Sequence, residues 1–144
     1  MSGALKYSLA ISTVYLWIGF VCAISFMEAW LKFRAPGVTL PIGLGIGRLV
    51  FSALNKVEWV FAIAIIFNLW FSKETLFTLN NLAFFMPLVI LTLQTLYLLP
   101  ALDARAEQHI HQQAVAPSYL HFYYVGAEIV KVTCLFIFSL KLFK

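Results

Sequence analysis

Four apolar stretches, at about 7–30, 49–71, 79–102 and 118–140, take up nearly the whole of this 144-residue chain. Each reaches the length of about 20 residues that a helix needs to cross the hydrocarbon core of a bilayer. In lipid the backbone must satisfy its own hydrogen bonds, which leaves the helix as the natural form for such runs. Composition agrees, because 62% of residues are hydrophobic and only 11% are charged, too few to give a globule a wet surface. The expected fold is all-α: an integral membrane four-helix bundle in antiparallel up-down order. Residues 1–144 then form one transmembrane domain with no soluble domain. The first stretch is longer than the apolar region of a secretory leader, so it is read as a span.

Four crossings would put both termini and the connection 72–78 on one side, called A, and the connections 31–48 and 103–117 on the other, called B. Side A carries Lys6, Lys73, Lys141 and Lys144 against Glu74 alone, whereas most B-side cations have acids close by. Cations without nearby acids favour the cytoplasmic face, so the termini are expected there, in a plasma or bacterial inner membrane. Cys22 and Cys134 fall at different depths by helix rise, and no disulfide is expected between them.

The informative feature is where the charges sit. A charge at the centre of a bilayer costs about 2.5–3.5 kcal/mol, yet the second stretch contains Asn55, Lys56 and Glu58. Nearly all ionisable residues within the spans lie in their B-side halves. Ser25, Glu28 and Lys32 share one face of the first helix. In the second, Arg48, Ser52, Asn55 and Glu58 fall within an arc of roughly 120°, and Lys56 points away. The third helix brings Gln94 and Tyr97 toward side B and is expected to end near Pro100, with Asp103 and Arg105 beyond. The fourth has His121, Tyr124, Glu128 and Lys131 within roughly 80°. Arg48 and Asn55 share the face of Glu58, and Lys131 or His121 can reach it across the bundle. The connection RAPGVTLPIGLGIGR is read as an irregular, membrane-hugging lid, since Pro36, Gly37, Pro41, Gly43, Gly45 and Gly47 oppose a long helix.

Intramembrane ionisable groups are functional candidates by default. Arg48, Glu58, Glu128 and Lys131 are expected to floor a ligand-binding pocket walled by Glu28, Asn55, His121 and Tyr124. Aromatic residues at Trp17, Trp30, Trp59, Tyr97, Phe122, Tyr123 and Tyr124 would suit an amphiphile whose head group meets the charges. The bland alternative is a set of ion pairs that only fixes helix order. A metal site could draw on His109, His111 and His121, since imidazole suits zinc, iron or copper, but the Glu-x-x-His spacing of di-iron bundles is absent. Proton conduction across the bilayer is disfavoured, because the A-side halves of the second and fourth helices, AIAIIFNLWF and TCLFIFSL, have almost no ionisable groups.

Arg48-x6-Asn55-x2-Glu58 resembles part of the signature of the membrane-associated proteins of eicosanoid and glutathione metabolism. The likeness covers about eleven residues, and Phe51 and Ser52 stand where that pattern has arginine and alanine. It implies a four-helix trimer that binds glutathione between subunits, with Arg48, Asn55 and Glu58 contacting the tripeptide, and a transferase or isomerase acting on a lipophilic electrophile. The expected function is binding of a small or amphiphilic ligand or ion in the B leaflet. The alternatives are a metal-dependent or glutathione-using enzyme, or an accessory subunit of a larger membrane complex. The lipid bilayer is the expected partner, a homo-oligomer or larger assembly is allowed, and nothing points to nucleic acid. The sequence names no cofactor.

Overall fold

The computed structural model describes residues 6–73, 78–79 and 81–144. The chain is all-helical, with no strand among the described residues. Four long helices account for it: α1, Ser8–Arg34; α2, Leu40–Phe71; α3, Leu82–Ile110; and α4, Leu120–Leu142. The first three are long and apolar enough to cross a membrane, as the spans of a membrane protein must be, and α4 is the less apolar one.

Contacts at the helix ends establish the directions. Ser72 at the end of α2 donates to the Lys6 carbonyl at 3.5 Å, beside the start of α1. Ser139 near the end of α4 lies 3.2 Å from the Tyr15 hydroxyl in α1. The rings of Phe84 and Phe138 stack at 5.1 Å between the start of α3 and the end of α4, and Arg48 in α2 meets Asp103 in the last turns of α3. Neighbouring helices therefore run antiparallel. The end that holds the chain termini has a dry core of Ala10, Val14 and Trp17 from α1, Ile65 and Leu69 from α2, Phe84 from α3, and Leu135 and Phe138 from α4.

The helix boundaries correct three expectations. The glycine-rich connection is not an irregular lid, because α2 begins at Leu40. Pro41 stands in the first turn, where its missing N–H has no helical partner to lose, and Gly37 takes the turn before it with φ +80°. Gly43 and Gly47 lie one turn apart on the buried face of α2. A Cβ on Gly43 would fall 2.1 Å from the Phe33 ring, and one on Gly47 would fall 3.0 Å from Lys32 Nζ. These glycines let two helix ends approach closely, as a small-x3-small pair does.

Nor does α3 stop at Pro100. A π turn, Gln94–Leu98, precedes it, and a ring that would strike the carbonyl four residues back is accommodated by that looser turn. The third difference is in α1, where a π turn over Cys22–Glu28 shifts the register. Ser25 is buried while Glu28 is only half-buried, although regular spacing would place both on one face. Cys22 and Cys134 are free thiols, and Glu74 of the A-side connection lies outside the described residues.

Candidate functional site

Two polar features are stacked in the half of the molecule away from the termini. The deeper one grows from α4, where helical spacing aligns Tyr124, Glu128 and Lys131 and packing turns that face inward. Lys131 Nζ donates to Glu58 Oε2, to Gln94 Oε1 at 2.6 Å, and sits 2.7 Å from Glu128 Oε1. The Trp17 indole N–H donates to Glu58 Oε2 at 2.8 Å, and Ser25 Oγ donates to Glu128 Oε2 at 3.0 Å. The Gln94 amide completes the set by donating to Glu128 Oε1. All four helices contribute. Glu58, Gln94, Glu128 and Lys131 have no solvent exposure at all, so each charge depends on these partners to remain in an apolar interior. Glu58 Oε1 is a buried oxygen without a hydrogen-bond partner.

The two π turns explain how α1 and α3 reach this centre. Ser25 lies within one and Gln94 opens the other, and both bond Glu128. Such turns displace side chains from regular helical register and recur at functional sites.

Toward the B end lies a cavity of about 590 Å³ bordered by residues of all four helices. Lys32, Arg48, Ser52, Asn55, Lys56, Thr95, Asp103, His121 and Tyr124 supply its polar lining, and Phe33, Leu44, Phe51, Leu99 and Leu102 its apolar lining. Lys32 pairs with Glu28 at 3.2 Å, and its side chain is only 10% exposed. The Arg48 guanidinium bridges α2 to α3: Nε and Nη2 donate to the two Asp103 carboxylate oxygens at 2.6 and 3.1 Å, and Nη1 donates to Glu107. This two-pronged geometry gives an arginine–carboxylate pair its directionality. The Asn55 amide and the Trp59 indole each donate to Thr95 Oγ1 at 3.0 Å. Tyr124 packs edge-on against Phe51, with ring centres 5.3 Å apart.

Of the eight residues expected to form the pocket, Arg48, Asn55, His121 and Tyr124 line this cavity. Glu58, Glu128 and Lys131 do not line it and sit in the buried cluster, while Glu28 supports Lys32 from outside the lining. Arg48 does not serve Glu58, because α3 runs past Pro100 and brings Asp103 and Glu107 to it first. Of the aromatic residues proposed as walls, only Tyr124 borders the cavity. Trp17 is buried beside Glu58, Trp30, Tyr97, Phe122 and Tyr123 point outward, and Phe33 and Phe51 take the wall positions instead. Trp17 was detectable in the sequence, since it continues the Ser25–Glu28–Lys32 stripe two turns inward. Gly43-x3-Gly47 was the signal for the close helix approach.

Among the described residues no three His, Cys, Asp or Glu side chains converge as metal ligands. His111 Nε2 pairs with Glu107 Oε1 at 2.8 Å, His109 lies in the last turns of α3, and His121 borders the cavity. The three residues behind the glutathione-protein likeness do not share one surface either: Arg48 and Asn55 face the cavity, and Glu58 is enclosed with Trp17 and Lys131. No protein-family model matches the chain, and neither a curated protein nor a solved structure matches it.

Proposed function

We propose that this protein crosses the membrane four times, with both termini cytoplasmic, and binds an amphiphile with an acidic head group in the cavity at its far end. The fourth crossing is supported by the orientation of α4. Its charged residues Glu128 and Lys131 face inward, and Ile129, Val130, Phe136, Ile137 and Leu140 face outward, so its low mean hydropathy reflects an internal polar face and leaves a lipid-compatible exterior.

The cavity has the volume usual for a small-molecule site, about 300–1,000 Å³, and it joins an apolar wall to a charged one. Lys32, Arg48 and Lys56 border it with Asp103, and Glu28 and Glu107 pair with Lys32 and Arg48 from outside the lining. The observation that carries the reading is Lys32, whose ammonium borders the hollow, 5.6 Å from the centres of both the Phe33 and Phe51 rings and against the Gly47 face of α2. A carboxylate or phosphate head would pair with this ammonium, and its chain would lie along Phe51, Leu99 and Leu102.

Binding of long-chain probes to the protein in nanodiscs tests this. A fatty acid is expected to bind more tightly than an alkyl amine of equal length, and Lys32→Ala should weaken the acid by about tenfold or more, the worth of one charge-assisted hydrogen bond. Equal retention of acid and amine would reject the head-group assignment.

A further inference from the structure

We propose that the Glu58–Glu128–Lys131 centre is a proton-binding site that holds one proton on Glu58 Oε1 and exchanges it through the cavity. The inference concerns residues that do not line the cavity, so it stands apart from the amphiphile reading.

A count of charges and donors leads to it. Two carboxylates meet one ammonium, and all three side chains have no solvent exposure. The groups that bond them add no charge, Trp17 and Ser25 from α1 and Gln94 from α3, and Tyr124 lies one turn from Glu128 on α4. The centre with both acids ionised therefore carries one uncompensated negative charge in an apolar interior, where such a group neutralises itself instead. The donors say where. Both Glu128 oxygens accept hydrogen bonds, Glu58 Oε2 accepts from Trp17 and Lys131, and Lys131 donates to Glu58 and Gln94 while ion-pairing with Glu128. Glu58 Oε1 receives none. A proton from water placed there turns Glu58 into a neutral acid whose Oε2 still accepts both of its bonds, and the centre becomes electroneutral with Lys131 paired to Glu128.

Access is one-sided. Tyr124 and Asn55 border the cavity, and each stands one helical turn from an acid, Glu128 and Glu58 respectively. Beyond the centre, Ala62, Ile65, Leu135 and Phe138 are fully buried and apolar. The site can fill and empty from the cavity but does not conduct across the molecule. The π turns that bring Ser25 and Gln94 to Glu128 mark the same level of the fold as a built site.

Infrared difference spectroscopy of the full chain in nanodiscs at neutral pH, in H₂O and in D₂O, reads this directly. The wild type should show a protonated-carboxyl band that shifts in D₂O. Glu58→Gln, isosteric with the neutral acid, should fold and lose the band, and Glu128→Gln should lose it too because one acid then balances Lys131. Lys131→Met should raise the band about twofold. Lys144→Met, at the exposed C-terminus and far from both sites, should leave it unchanged. A wild type without the band, a band that survives in Glu58→Gln, or one that sodium or potassium ions abolish would overturn the proposal.

Discussion

The Lys131 ammonium is held by groups from three different helices: it donates to Glu58 of α2 and Gln94 of α3 and ion-pairs with Glu128 of its own helix. A flexible side chain fixed in this way ties the bundle together more firmly than any surface ion pair, because no water can substitute for a lost partner. Lys131→Met, which keeps most of the side-chain volume, is therefore expected to cost about 3–5 kcal/mol. Lys144→Met at the exposed C-terminus should change stability by less than about 0.5 kcal/mol. Unfolding curves of the two variants in one detergent check both values, and equal midpoints would show that the buried cluster adds nothing to stability.

At the scale of elements, α2 is the helix that builds the cavity. Its 32 residues exceed the roughly 20 that hydrocarbon requires, and the additional turns at its start carry the glycines that admit Phe33 and Lys32. Two neighbouring glycines should respond differently to the same substitution. Gly43→Ala forces the Phe33 ring aside and is expected to destabilise by about 1–3 kcal/mol. Gly45→Ala meets nothing within 4 Å and should be neutral or stabilising by up to about 1 kcal/mol, from helix propensity. Thermal unfolding of the pair measures the difference. A lid of irregular backbone would have made the two equivalent.

For the molecule as a whole, a charged cluster is enclosed in the interior while large hydrophobic side chains such as Leu49, Val60, Ile63, Phe67 and Trp70 cover the exterior of α2. This suits a chain whose solvent is lipid. The proposed four-crossing arrangement would place the turn at Gln112 and the C-terminus on opposite sides. With Cys22 and Cys134 replaced by alanine, Gln112→Cys and Lys144→Cys should react with a membrane-impermeant maleimide from opposite faces of oriented vesicles. Labelling from the same face would remove α4 from the membrane.

The order of residues alone dictates the helical class, the alternation of long apolar runs and the gathering of charge toward one end, because each follows from local composition and from the demand that backbone groups pair within a span. It also placed Tyr124, Glu128 and Lys131 on one stripe, which regular helical spacing preserves. Which charge meets which follows from how the helices pack. Two π turns moved Ser25 and Gln94 out of regular register, the extension of α3 past Pro100 supplied Arg48 with Asp103 and Glu107, and Glu58 was left to Lys131. The division into a buried cluster and a separate cavity arises from that choice of partners, since a charged side chain in an apolar interior settles with the nearest group that completes its bonding, wherever in the chain that group comes from.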